Sequence, residues 1–240
     1  MRPRSYSISS SPLIKPNHAT LTYSIVQQPA WANPTHTHTG VATSYLAALQ
    51  PGDRLYVAVR PTSTSAFRLP DQAAMATTPI ICVAAGAGLA PFRGFIEERA
   101  ALLATGACAL APALLFFGCR GAEMDDLYRD EFDKWQEAGA VDVRRAFSRV
   151  ESEEAQGSKY VQDRLWRDRG EILQLWERGA RVYVCGSRHV GDEVKKVMGR
   201  IIVGGAKLKQ GETGDEPTEE QVAQWFDSVR NERYALDVFD

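Results

Sequence analysis

Along the first 75 residues, polar and apolar positions alternate with a period near two, the spacing of a strand with one buried face. Residues 20–26 (Thr-Leu-Thr-Tyr-Ser-Ile-Val) predict one such strand. Residues 54–60, with Leu55, Val57 and Val59 on one side, predict another. Pro51-Gly52 and residues 61–65 read as turns between strands. A short helix is predicted over 44–49, where Tyr45, Leu46 and Leu49 share a face.

Near residue 75 the pattern changes to strand–helix alternation. Residues 79–84 are a continuous apolar run, as in a strand buried on both faces. An amphipathic helix over 91–104 follows, then a strand at 114–117 and a helix at 126–138. A strand at 141–146, helical segments through 160–177, a strand at 181–185 and a helix at 190–203 complete the series. Residues 204–217, rich in Gly and charge, read as a loop. Thr218 with Gln221 three positions on has capping-box spacing and announces a last helix over 219–230. Repeated β–α units imply a parallel sheet with helices on both faces and ligands at the carboxyl ends of its strands. The fold class is therefore α/β, with a Rossmann-like domain over 76–240 preceded by a smaller β unit over 1–75.

Composition narrows the function. With 44% hydrophobic and 24% charged residues, the 240-residue chain has the make-up of a globular protein. A formal net charge of −2 argues against a nucleic-acid binder, which carries a basic excess. No apolar run approaches the ~20 residues of a membrane span, and Met1-Arg2-Pro3-Arg4 opens no signal peptide. Cys82, Cys108, Cys119 and Cys185 lack the spacing of a zinc site or a disulfide scaffold. Free thiols in the cytoplasm are the simplest reading. His36 and His38 alternate on a Thr-rich stretch with no Cys or carboxylate beside them, so no metal is expected. The chain opens at once on a dense, patterned segment, which points to a truncated domain or gene fragment.

Chemistry concentrates where strands are predicted to end. Gly86-Ala87-Gly88, then Leu89-Ala90-Pro91-Phe92-Arg93, follows a buried strand and opens a helix with Pro91 in its first turn. Glycines there let the backbone approach a pyrophosphate, and the helix N-terminus supplies N–H donors; the competing reading is a tight strand–helix turn. Ser148 and Arg149, with Lys159, Tyr160 and Gln162 soon after, combine groups suited to a phosphorylated adenosine ribose. A solvated charged loop is the alternative. Arg120 ends the second strand where a ribose-binding acid would stand, which favours phosphate. Cys185 closes a later strand, where packing is the commoner role of a cysteine. The apolar terminus ending Asp237-Val238-Phe239 must dock on something, filling core or covering a flat ligand. Near the start, Arg4 and Tyr6 fall on one strand face and Ser5 and Ser7 on the other, compatible also with a polar edge strand. Gly40-Val41-Ala42-Thr43 precedes the short helix and could present N–H groups to a second pyrophosphate.

In this order the motifs resemble the NADPH–cytochrome P-450 reductase family, and most of all the FAD/NADPH end of the self-sufficient fungal fusions of a heme monooxygenase with its reductase. The resemblance spans nearly the whole chain. It implies a ferredoxin-NADP-reductase-like NADP-binding domain preceded by a partial antiparallel FAD-binding barrel. By resemblance, Arg4 holds the FAD pyrophosphate, Tyr6 stacks on the flavin, Ser7 bonds near flavin N5, and Gly40 to Thr43 form a second FAD motif. Gly86, Ala87 and Gly88 cradle the NADPH pyrophosphate, while Arg120, Ser148, Arg149, Lys159, Tyr160 and Gln162 hold the nucleotide and its 2′-phosphate. Cys185 lies beside the nicotinamide, Asp237 joins Ser7 and Cys185 in the transfer site, and Phe239 covers the flavin and swings aside for nicotinamide. The implied reaction passes hydride from NADPH to FAD and then single electrons through FMN to heme, with FMN and heme on a partner or on missing domains.

Ala87 stands where the family usually has Thr or Ser, removing a hydrogen bond worth about 0.5–1.5 kcal/mol. Phe239 replaces the Trp of animal reductases, and barrel strands upstream of Arg4 are missing. Other readings stand beside this one: a truncated, non-catalytic NADP-binding piece, or a nitric-oxide-synthase-like or sulfite-reductase-like module.

Overall fold

A period-two pattern becomes a strand only where a neighbour supplies the ladder of hydrogen bonds. The computed structural model describes residues 4–60, 66–106, 109–209 and 216–239, and in it both strands predicted before residue 75 lack that neighbour. In 20–26 only Leu21 pairs, through a single antiparallel bridge to Ile8. Residues 54–60 form no strand, and Tyr56, Val57 and Val59 are almost wholly exposed. The ladder forms further along instead, between β1 (Gln27–Pro29) and β2 (Thr37–Thr39), six exposed residues in antiparallel register. Helix α1 (Val41–Ala48) follows, three residues earlier than the pattern predicts. The turn expected at 61–65 lies outside the described residues, as does Cys108.

The α/β part matches its pattern closely. Its elements are β3 (Ile80–Ala85), α2 (Ala90–Ala104), β4 (Ala113–Cys119), α3 (Ala122–Asp125), α4 (Arg129–Glu137) and β5 (Asp142–Phe147). They continue with α5 (Val161–Arg167), α6 (Arg169–Glu177), β6 (Arg181–Ser187), α7 (Arg188–Lys209), α8 (Glu219–Val229) and β7 (Tyr234–Phe239). Five strands make one parallel sheet in the order β5-β4-β3-β6-β7. The central strand β3 has its first five residues buried, so both faces need cover. Alternation sends Ile80, Cys82 and Ala84 to one face, against Phe92, Ile96 and Phe132 of α2 and α4. Ile81 and Val83 meet Val161, Leu165, Ile172, Val194 and Met198 of α5, α6 and α7 on the other. Each fully buried Ile, Val, Leu, Met or Phe side chain among these contributes about 1.5–3 kcal/mol.

Two elements differ from the pattern. Helix α7 runs six residues beyond its predicted end, into the segment read as loop. A Cβ on Gly205 would stand 2.5 Å from Leu173, so this glycine allows close approach of α6 to α7. The apolar terminus, which required a docking site, becomes β7, paired in register along β6. The predicted capping box does form: the Gln221 N–H donates to Thr218 Oγ1, and the Thr218 N–H donates to Gln221 Oε1.

Candidate functional site

Strand order reverses between β3 and β6, and a crevice at such a switch point is where α/β sheets bind ligands. The Gly86–Leu89 turn sits there. A Cβ on Gly88 would lie 2.2 Å from the Cys185 carbonyl oxygen, so only glycine lets this turn rest on the end of β6. Gly86 has φ of +54° and nothing within 4 Å of its would-be Cβ, leaving its backbone open to a ligand. Pro91 lies in the first turn of α2, and no side chain caps that helix. An open glycine backbone at the start of this helix fits the approach of a pyrophosphate.

At the same edge, Cys185 pairs with Ala84 on one side and Asp237 on the other, and Ser187 pairs with Phe239. Register places Cys185, Asp237 and Phe239 on one sheet face. Cys185 is buried, and burial, with Asp237 adding to it, pushes its thiol above the ordinary 9.0. It is a neutral thiol, able to position a ring but not to act as a thiolate. Ser7 Oγ donates to Asp237 Oδ2 at 3.1 Å, which brings the start of the described chain to its final strand. Half-buried Tyr6 packs edge-on to Tyr23, with ring centroids 5.8 Å apart, and Phe239 is 46% exposed. These residues fit a flat ring system with one polar edge.

The remaining predicted residues divide into two groups. Arg120 is engaged by Asp125, which accepts from its backbone N–H at 2.7 Å and from Nε at 2.9 Å. The β4–β5 pairing continues past both strands, with the Ser148 N–H donating to the Cys119 carbonyl and the Arg149 N–H to that of Arg120. Lys159 Nζ lies 5.4 Å from the Tyr160 ring, and Gln162 is half-buried in the first turn of α5. All of these stand at the carboxyl end of the sheet. Arg4 is exposed, and the segment 40–43 forms the start of α1. Thr43 Oγ1 accepts from the Val26 N–H and donates to the Gly40 carbonyl, tying down the start of α1, whose N-terminus no side chain caps. Among the described residues, no three His, Cys, Asp or Glu side chains gather as a metal site.

The Oxidoreductase NAD-binding domain model matches residues 82–196, the span from β3 into α7. Over all 240 residues the chain is 52% identical to a bifunctional cytochrome P450/NADPH–P450 reductase of Fusarium oxysporum, covering 22% of that protein. It is 45% identical over its whole length to a self-sufficient cytochrome P450 monooxygenase of Oidiodendron maius, covering 21% of it. A bifunctional cytochrome P450/NADPH–P450 reductase of Acremonium egyptiacum is 40% identical, again over the whole chain. The chain belongs to the NADPH–P450 reductase family. It corresponds to the reductase end of these fusions and spans about one fifth of their length.

Sequence reasoning met Arg93 only as the end of the glycine-loop motif and passed over Arg145, although both are buried. Arg93 on α2 is 9% exposed and holds the N-terminal segment: Nη1 donates to the Ser9 carbonyl at 2.6 Å, while Nη2 pairs with Glu131. Arg145 on β5 is 4% exposed and meets three carboxylates. The available signal was a charge at a position where periodicity asks for an apolar side chain.

Proposed function

We propose that this chain is the NADPH-oxidising, FAD-binding part of a reductase that passes electrons, through FMN, to a heme protein. The single observation that carries this reading is the meeting of Ser7, Cys185 and Asp237 at the switch point, one from each of three distant stretches of chain. Bound together, nicotinamide and flavin supply hydride transfer and single-electron release. The protein's part is orientation and electrostatics. Gly86, Ala87 and Gly88 would hold the pyrophosphate of NADPH against α2, and Ser148, Arg149, Lys159, Tyr160 and Gln162, with Arg120, its adenosine end. Ser7 would donate toward the flavin edge, Asp237 would steady positive charge, and the neutral Cys185 thiol would pack beside the nicotinamide. Tyr6 and Phe239 would flank the flavin, with exposed Phe239 free to swing aside. Arg4 and the uncapped start of α1, Gly40 to Thr43, would meet the FAD pyrophosphate. A division near residue 75 would separate Arg4, Tyr6, Ser7 and Gly40 to Thr43 from the NADPH-binding unit, which adds Asp237 and Phe239 from its last strand to the flavin side. The buried free thiols Cys82, Cys119 and Cys185 favour a cytoplasmic setting, and no described helix is long and apolar enough to cross a membrane.

The unpaired 54–60 segment favours a second reading, in which the α/β unit binds NADP(H) and the flavin is not retained. One experiment separates them. The purified chain is incubated with FAD, desalted, and its visible spectrum recorded without oxygen before and after NADPH. Retained flavin absorbance that bleaches on NADPH is expected. Colourless protein that still binds 2′,5′-ADP would overturn the reductase reading in favour of the second.

A further inference from the structure

The residues read above as the adenosine-phosphate site, Ser148-Arg149 and Lys159-Tyr160, stand at the two ends of a stretch with no helix or strand. Gln156 and Gly157 within it both have positive φ, at 51° and 75°. Such a stretch has little order of its own, yet it is held from inside. Arg145 Nη1 donates to Glu154 Oε1 at 2.9 Å, Nη2 meets Asp133 at 2.8 Å, and Nε meets Asp126 at 2.8 Å. Arg129 Nη2 donates to the other Glu154 oxygen at 2.9 Å and Nη1 to Asp126 at 2.8 Å. Glu154 is thus the one side chain of the stretch gripped by two guanidinium groups, one from β5 and one from α4. From α5, Arg164 Nη1 donates to the Glu154 carbonyl at 2.9 Å and Arg167 Nη1 to that of Gln156 at 2.6 Å. Burial raises the Asp126 carboxyl, against the lowering influence of Arg145 and Arg129.

The charges at the ends behave differently. Among the described residues no carboxylate lies within ion-pair distance of Arg149 or Lys159, whereas Arg120, Arg129, Arg144, Arg145 and Arg164 each have one. Arg129, Arg145 and Arg164 hold the stretch, and Arg149 and Lys159 are the cations it presents.

We propose that the Arg145–Glu154–Arg129 ion-pair tether is the positioning device for the 2′-phosphate of NADPH, and so sets the preference for NADPH over NADH. Glu154 touches no coenzyme; it acts through the backbone that carries Arg149 and Lys159. The proposal rests on the reading of Ser148, Arg149 and Lys159 as the 2′-phosphate contacts.

Charge and position predict opposite results at Glu154. Removing a carboxylate near an anion site strengthens anion binding if only the field matters. If the tether positions the cations, the same change weakens it. Calorimetry of the full chain with 2′,5′-ADP and with 5′-AMP, comparing wild type with Glu154→Gln and Glu154→Asp, decides. In Glu154→Gln we expect 2′,5′-ADP affinity to fall about tenfold, the loss of one well-aimed charged contact, with 5′-AMP affinity changing less than about twofold. Glu154→Asp, which can keep an ion pair, recovers part of the difference. Unchanged or tighter 2′,5′-ADP binding by folded Glu154→Gln, or an equal fall for both ligands, overturns the tether alone. A wild-type chain that does not distinguish the two nucleotides overturns the 2′-phosphate reading beneath it. Glu154 is about one-third exposed, so the variant is expected to fold, which a circular dichroism melt checks.

Discussion

Gly88 shows how much one missing methyl group can decide. Its would-be Cβ falls 2.2 Å from the Cys185 oxygen, 2.6 Å from the Cys185 carbon and 2.9 Å from the Gly186 Cα. All three are backbone atoms of β6, a strand paired on both sides, so no rotamer change can relieve the contact. Gly88→Ala is expected to cost about 3 kcal/mol or more, the upper end of overpacking, and to weaken 2′,5′-ADP binding because the turn must lift away from β6. Urea denaturation measures the first effect and calorimetry the second. A loss below about 0.5 kcal/mol, the scale of a surface substitution, would show that the turn does not rest on β6. The neighbouring Ala87 carries the opposite lesson: its missing hydroxyl was evident in the sequence, while the reason for glycine at 88 needed the sheet order.

At the scale of elements, the N-terminal segment is fastened to α2 and the start of α4 by polar contacts more than by apolar burial. Arg93 reaches the Ser9 carbonyl and stacks over Tyr128, 4.5 Å from its centroid, while the Tyr128 hydroxyl meets Thr22 Oγ1 at 2.8 Å. Thr22 Oγ1 donates to Ser9 Oγ at 2.9 Å, closing a ring of contacts around one guanidinium. The Ser11 N–H donates to Glu97 at 2.6 Å and its hydroxyl to Glu98 at 3.2 Å. Since Ser7 lies two residues before Ser9, this ring sets where Ser7 can meet Asp237. Arg93→Met should therefore free residues 9–22 while leaving the sheet intact. Amide exchange by mass spectrometry is expected to speed up at least about tenfold there, equivalent to about 1.4 kcal/mol of local stability, with β3 to β6 unchanged. Faster exchange confined to α2, with 9–22 unaltered, would place the role of Arg93 inside its own helix.

Across the whole molecule, legibility followed the source of each element's stability. Four of the five sheet strands were readable, the clearest because apolar runs such as Ile80–Ala85 state their own burial, whereas β7 was legible only as an apolar terminus that needed a docking site. The segments 20–26 and 54–60 were misread because alternation states a preference and says nothing of a partner. The glycines of α7 were misread because helix packing, absent from local sequence, outweighs the ~1 kcal/mol cost of glycine. The candidate site residues from Gly86 to Phe239 stand out in the sequence as motifs, whereas the contacts made by Arg93, Arg145 and Glu154 carry meaning only in three dimensions. The same burial that makes the sheet readable makes the molecule sensitive to alkali. Burial lifts the thiols of Cys82 and Cys185 above the ordinary 9.0 and pushes Cys119 up to about 12. Tyr183 is pushed up to about 12 from 10.0, and Tyr234, fully buried, is raised further. A raised folded value means the native state keeps protons that the unfolded chain releases. Stability is thus unaffected by these groups below pH 9, then falls as pH rises through 9–12, by up to about 1.4 kcal/mol per unit for each thiol. With Cys108 replaced by Ser, the melting temperature should decline steadily between pH 9 and 10.5, and a thiol reagent at pH 8 should label the protein no faster than it unfolds. A flat melting temperature across that range, or rapid labelling of the native protein, would mean that the carboxyl edge of the sheet opens to water and that Cys185 stands in solvent, where a neutral packing role beside the nicotinamide could not hold.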